Sequence, residues 1–179
     1  MQVLNNTDIV ISNIKNNEYR IIGIDGIDGA GKTTLAKELE EIGYLRISLD
    51  DYLVKKSGEY FKFLDLNKLK RDLKNKEKIV IEGVLLKKIL NTIGVKTDYL
   101  IYISDDVWLN DWLEEYNGKY LSMSLEDIIQ SEEILVNRIN KITNPNSKEY
   151  KMDGLRKEIY EYSFEQKPWL LADIIIKNN

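Results

Sequence analysis

Short apolar runs rich in isoleucine alternate along the chain with segments in which apolar side chains recur every three or four positions. The runs occupy 20–24, 44–48, 78–81, 99–103 and 173–176. Each is close to continuous in apolar character, the pattern of strands covered on both faces of a parallel sheet. Helical spacing is carried by Leu35, Leu39 and Ile42 in 33–42, by Leu66, Leu69 and Leu73 in 66–73, and by Trp108 and Trp112 in 107–116. The segments 84–93, 125–142 and 155–164 continue it. This alternation predicts an α/β fold: an open sheet of five parallel strands, right-handed crossovers, and helices on both faces. Residues 1–18 read as an N-terminal extension or an edge helix built on Val3, Leu4, Ile9, Val10, Ile11 and Ile14. The two prolines, Pro145 and Pro168, mark no linker, and no repeat is present, so a single domain is expected over 1–179.

Composition narrows the chemistry more than the architecture. A chain of 179 residues suits one core. It contains no histidine and no cysteine. That excludes disulfides, thiolate nucleophiles, Ser-His-Asp catalysis and histidine or cysteine zinc sites. What remains is carboxylates, lysine, arginine, hydroxyls, backbone amides and hard oxygen-bound cations such as Mg²⁺. The net charge of −4, from 26 basic and 30 acidic residues, leaves no basic footprint for nucleic acid. No apolar stretch approaches the roughly 20 residues that span a bilayer, and the N-terminus lacks the basic and apolar regions of a signal peptide. A cytoplasmic protein without membrane partners is the expectation.

The first strand runs into Gly26-Ile27-Asp28-Gly29-Ala30-Gly31-Lys32-Thr33-Thr34. This is G-x-x-x-x-G-K-T between a strand and a helix, the context that a phosphate-binding loop requires. Gly26, Gly29 and Gly31 allow positive φ and close backbone approach. The N–H groups from Asp28 to Thr34, Ala30 included, would converge on an anion at the positive end of the helix. Lys32 would reach the β- and γ-phosphates, and the Thr33 hydroxyl would ligate Mg²⁺. ATP and Mg²⁺ are the cofactors this predicts.

The second strand ends in Ser48-Leu49-Asp50-Asp51-Tyr52, and the third in Val80-Ile81-Glu82-Gly83. Ligands of open α/β sheets bind beyond the carboxyl ends of the strands, so Asp50 and Glu82 are candidates to face a metal or a hydroxyl. Capping of the following helix is the bland alternative for Asp50, Asp51 and Glu82.

In order along the chain, GIDGIDGAGKTTLA, ISLDDYL, VIEGVLL, DYLIYIS and PWLLADIIIKN resemble the uridine kinase-like branch of the P-loop kinases, over most of 20–178. The resemblance implies a three-layer P-loop kinase fold with strand order 2-3-1-4-5 and a helical lid at about 105–145. It implies an alcohol phosphotransferase that uses ATP and Mg²⁺ on a nucleoside-like or other small hydroxyl-bearing metabolite. Asp50 would be the general base and would hold Mg²⁺ through water. Glu82 would organise the metal site, and Tyr52 would line the acceptor pocket.

The match thins in the lid, where that branch carries several arginines. Here 105–141 offers Lys119, Arg138 and Lys141, and Arg138 is the candidate clamp for the transferred phosphate. The hairpin that closes over the nucleoside, between the helix after strand two and strand three, is missing. Arginine stands only at 20, 46, 71, 138 and 156, none after a strand end, which favours a neutral hydroxyl acceptor over a nucleoside monophosphate. A thymidylate-kinase-like activity stays open, as does a non-catalytic nucleotide-binding module. A GTPase switch is disfavoured, because no N-K-x-D guanine reader occurs. Tyr52, Tyr60, Phe61 and Phe63 are pocket lining or plain core; Trp108 and Trp112 read as packing. Trp169 lies where this fold often meets adenine. Monomer and homodimer are both left open.

Overall fold

The computed structural model describes residues 2–4, 6–55, 58–114 and 117–178. Six strands form one parallel sheet: β1 Gln2–Leu4, β2 Ile21–Gly26, β3 Leu45–Ser48, β4 Ile79–Glu82, β5 Tyr99–Asp105 and β6 Ile174–Asn178. Their order is β1-β6-β5-β2-β4-β3. The sheet has six strands rather than the expected five: β3-β4-β2-β5-β6 keep the expected succession 2-3-1-4-5, and the full order differs because β1 is added at the edge beside β6. Gln2–Leu4, read as part of an extension or helix, instead pairs in parallel with Ile174–Ile176 and becomes the edge strand. Three residues are too few to show a period, so only the neighbour strand reveals them as β. The helical half of that reading is found in α1, Thr7–Lys15, capped by Asn6 and buried through Val10 and Ile14.

The remaining helices are α2 Lys32–Glu41, α3 Leu66–Leu73, α4 Leu86–Ile93, α5 Asp106–Trp112, α6 Leu125–Thr143, α7 Gly154–Gln166 and α8 Pro168–Leu171. The expected helix over 107–116 begins one residue earlier and stops at Trp112, and its positions 115–116 lie outside the described residues. Successive strand residues enter different layers. Ile22, Ile24, Val80, Ile101, Ile103, Ile174 and Ile176 pack with α1 and α2. Ile79, Ile81 and Leu100 face α3, α4 and α7, while Tyr102 and Ile175 face α5, α6 and α8. Parallel strands buried on both faces explain the continuous apolar runs.

Two segments shape the ground around the strand ends. After β3 the chain makes a 3₁₀ turn, Leu49–Tyr52, and then a strap. The strap is closed by an antiparallel bridge between Leu53 and Leu64, with the Val54 N–H donating to the Phe63 carbonyl at 2.9 Å. The connection from α3 to β4 is a short turn over 74–78, so no hairpin stands there. Trp169 is buried at 1% exposure among Tyr102 and Trp112, with ring centroids 6.0 and 5.6 Å away. It is a core residue; the adenine contact expected of it has no basis. Among the described residues, no helix is long and apolar enough to cross a membrane.

The helices of 106–143 are tied to α7 through Glu132. Its carboxylate accepts from Tyr120 at 2.5 Å, Tyr160 at 3.1 Å and Lys119 at 3.1 Å. Burial acts to raise the Glu132 pKa, but the Tyr120 and Lys119 hydrogen bonds outweigh it and leave the group below its ordinary 4.5. A depressed carboxylate contributes stability above its unfolded pKa and loses it as pH falls through the folded value. The urea midpoint is therefore expected to drop as pH falls below 4.5. Glu132→Gln should have a lower midpoint at neutral pH and a visibly shallower acid decline, read by tryptophan fluorescence. An equally steep decline in the variant would refute this linkage.

Candidate functional site

Gly26 ends β2 with φ of 147°, and a Cβ there would lie 1.9 Å from the Ile103 carbonyl oxygen. Only glycine lets the chain leave the sheet beside β5 at this point. Gly31 caps α2 in the left-handed region at φ 93°. Between them the loop surrounds a cavity of about 310 Å³ lined by Asp28, Gly29, Gly31, Lys32, Thr33, Asp50, Glu82 and Gly83 among others. The predicted phosphate loop and both predicted strand-end acids thus meet in one place. Asn178 of β6 donates to the Ala30 carbonyl at 2.5 Å and steadies the loop from behind. Thr34 lies on α2, with its N–H on the Gly31 carbonyl at 3.1 Å.

Lys32 is 7% exposed and its ammonium donates to the Ile27 carbonyl at 2.5 Å. Burial lowers its pKa, opposed by the negative charges of Asp25, Asp28, Glu82 and Asp50. The Thr33 hydroxyl donates to Glu82 Oε1 at 3.2 Å, and Glu82 is 3% exposed. A hydroxyl and a hard carboxylate oxygen side by side at the mouth of α2 fit Mg²⁺, which takes one or two protein oxygens and completes its shell with phosphates and water. No group of three acids able to hold a metal occurs among the described residues.

Asp50 lies in the 3₁₀ turn and is held by the Tyr60 hydroxyl, which donates to Oδ1 at 2.7 Å. A second cavity of about 310 Å³, bounded by Asp28, Asp50, Leu53, Lys55, Gly58, Glu59, Tyr60 and Leu155, adjoins the phosphate cavity across Asp50. The strap that carries Tyr60 is fixed by Glu158 of α7, whose carboxylate accepts from the Tyr60 N–H at 2.5 Å and the Phe61 N–H at 3.2 Å. Glu158 was invisible in the sequence, since it meets its partners nearly a hundred positions away.

Two candidates are corrected. Tyr52 does not line this cavity; it is 8% exposed in the core and donates to Asp72 Oδ2 at 3.0 Å. Burial first, then Asp72, pushes its pKa up to about 12. Tyr60 takes the pocket position instead. Arg138 and Lys141 line a separate open cavity of about 670 Å³ with Ile134, Asn137 and Ile142, away from the phosphate loop. Arg156 of α7, by contrast, stands beside that loop. It borders a cavity of about 490 Å³ with Ile27, Asp28, Asp105, Trp108 and Tyr160.

Behind the loop, Asp25 is fully enclosed. Oδ1 accepts from the Gly26 N–H at 2.8 Å and the Leu86 N–H at 3.3 Å, and Oδ2 from the Lys87 N–H at 3.2 Å and the Tyr162 hydroxyl. Leu85, in the left-handed region at φ 57°, offers no side-chain cap to α4. Asp25 supplies it from the neighbouring strand, neutralising the helix's free N–H groups. Burial raises its pKa above the ordinary 3.8, against those four hydrogen bonds.

Together, the parallel sheet, the glycine-shaped anion loop at its carboxyl edge and the lysine and threonine that follow define a P-loop nucleotide-binding fold. The NB-ARC domain model matches residues 5–161, and the chain belongs to that family of P-loop NTPase domains. The fold is that of the uridine kinase-like P-loop proteins. A solved structure of a possible uridine kinase from Bacillus stearothermophilus superposes with a TM-score of 0.52 at 17% identity, covering 96% of this chain and 97% of that one. A shikimate kinase from Bacteroides thetaiotaomicron gives a TM-score of 0.41 at 15% identity, covering 89% and 86%. No curated protein matches the chain significantly.

Asp25→Ala is expected to remove the α4 cap and leave three N–H groups and a tyrosine hydroxyl without their acceptor. The expected loss is about 3 kcal/mol of unfolding free energy, measured by urea denaturation. A loss below about 1 kcal/mol would show that water or a rearrangement satisfies those donors.

Proposed function

We propose that the chain is an ATP- and Mg²⁺-dependent small-molecule kinase that transfers the γ-phosphate to a hydroxyl of a nucleoside-like or other small metabolite, with Asp50 as general base. One observation carries this reading. Asp50, fixed by Tyr60 at 2.7 Å, stands on the wall shared by the phosphate cavity and the adjoining cavity. An acceptor in the second cavity would have its hydroxyl between the carboxylate and the nucleotide's terminal phosphate.

The chemistry asks little covalent work of the protein. One Asp50 oxygen is occupied by Tyr60, and the other would take the proton of the acceptor hydroxyl as the acceptor's oxygen attacks γ-phosphorus. The bond from phosphorus to the β–γ bridging oxygen then breaks, and ADP leaves. Lys32 exchanges the Ile27 carbonyl for phosphate oxygens and neutralises charge on the transferred group. Thr33 and Glu82 would hold Mg²⁺, which supplies further charge neutralisation on the phosphates when bound. Arg156 replaces Arg138 as the candidate clamp, since its cavity meets the phosphate cavity at Asp28 and Leu155. Of the arginines near the site, Arg46 is engaged with Glu82 and Arg156 is the candidate clamp, which supports a neutral acceptor over a thymidylate-kinase-like one.

Family membership and the position of Arg138 favour a second reading, a nucleotide-binding module that binds without transfer. One experiment decides between them: acceptor-dependent ADP formation over a panel of nucleosides, vitamins and sugars. Lys32→Ala should abolish it, and Asp50→Asn should lower kcat by about 10² to 10⁴. Tyr60→Phe should lower kcat by about tenfold or more while leaving ATP affinity unchanged. Full turnover in Asp50→Asn would remove the base assignment. Nucleotide binding without turnover on any acceptor would favour the module.

A further inference from the structure

Arg46 is a charged residue on β3 that the transfer chemistry does not use. β3 is the outer strand on its side of the sheet, and Ser48, two residues on, is in register with Glu82 of β4. The Arg46 side chain reaches along the sheet so that Nη1 lies 3.4 Å from Glu82 Oε1, the same oxygen that takes the Thr33 hydroxyl. Its other acidic neighbour, Glu40, is 3.7 Å from Nε and largely exposed. Nε is itself buried without a hydrogen-bond partner. Only the Glu82 end of the guanidinium is therefore anchored by a buried group.

A carboxylate as enclosed as Glu82 is costly to bury without a positive partner. Lys32 feels the charge of Glu82, but its ammonium hydrogen-bonds the Ile27 carbonyl, and the cation in contact with the carboxylate is Arg46. Arg46 supplies the charge. Its side chain keeps 26% exposure on the outer strand, so it has a path to solvent when another cation takes over.

We infer that Arg46 acts as a built-in stand-in for the divalent cation, pairing with Glu82 until metal and nucleotide arrive together and so keeping that carboxylate from repelling metal-free nucleotide or holding a metal alone. This rests on the kinase reading only in taking Glu82 as a residue that faces the metal. Two effects follow from charge alone. With Arg46 present, Glu82 does not repel metal-free ATP, and it does not attract a free divalent cation. Without Arg46, the uncompensated carboxylate weakens metal-free ATP binding and strengthens the pull on the metal, so the two ligands become more strongly coupled.

The readout is the ratio of the ATP dissociation constant in EDTA to that in Mn²⁺, measured by calorimetry. Arg46→Gln is expected to raise this ratio by about ten- to a hundredfold, the usual span of coupling between two ligands. Arg46→Lys, which keeps the charge, should stay within about threefold of the parent ratio, and in a Glu82→Gln background Arg46→Gln should no longer change it. An unchanged ratio in Arg46→Gln, or an equal rise in both backgrounds, overturns the inference. The parent chain provides a check that needs no variant to fold. Mn²⁺ alone is expected to cause no melting shift and no saturable binding, and saturable binding without nucleotide would overturn the inference. Failure of the parent chain to bind ATP under either condition would instead bring down the kinase reading.

Discussion

The arrangement of the site depends on one buried carboxylate that touches no ligand. Asp25 stands on the strand that feeds the phosphate loop, and its four hydrogen bonds reach the loop's first glycine, the start of α4 and, through Tyr162, the middle of α7. Those three elements border the site together with the 3₁₀ turn of Asp50 and the end of β4 at Glu82. The loop holds Lys32 and Thr33, α4 follows the turn after Glu82, and α7 carries Leu155, Arg156 and Glu158. Because α4 opens on a left-handed leucine with no cap of its own, this carboxylate alone satisfies its first N–H groups. A charge taken fully out of water is tolerable only with that many donors. The same requirement fixes how the two helices sit against the loop.

From that anchor the rest follows by short links. Glu158 of α7 pins the strap through two backbone N–H groups, the strap holds Tyr60, and Tyr60 aligns Asp50. A chain with no histidine has no side chain that titrates near neutrality unaided. In the proposed kinase the base would be a carboxylate, and the groups that position it are remote in sequence. The acidic strand ends meet the loop because parallel strands direct their carboxyl ends to one edge of the sheet.

The legible parts of the sequence were those written locally. The phosphate loop is nine consecutive residues whose spacing encodes its own geometry. Asp50 and Glu82 were legible because each closes an apolar run, and a strand end is a place in the fold as well as in the sequence. Tyr52 and Trp169 misled for the opposite reason. An aromatic beside a motif is equally suited to lining a pocket or filling a core, and only tertiary packing decides; both went to the core. Arg138 misled because a helix presents every side to the sequence reader, and its side faces a different cavity. Gln2–Leu4 could be recognised as a strand only once β6 stood beside it. Tyr60, Glu158 and Arg156 required the folded arrangement of strap and α7.

Arg46 shows how far a single charge can matter when the sheet geometry directs it. Neighbouring parallel strands bring Val80 level with Arg46 and Glu82 level with Ser48. A long basic side chain spans that two-residue offset, and a short one would leave Glu82 without its partner. The pair neutralises a carboxylate that, in the proposed site, would face the metal once a nucleotide is bound. Asp28 and Asp50 border the same cavity but are exposed, so Glu82 is the enclosed acid among its lining residues. A cation held against that acid disfavours the metal arriving alone.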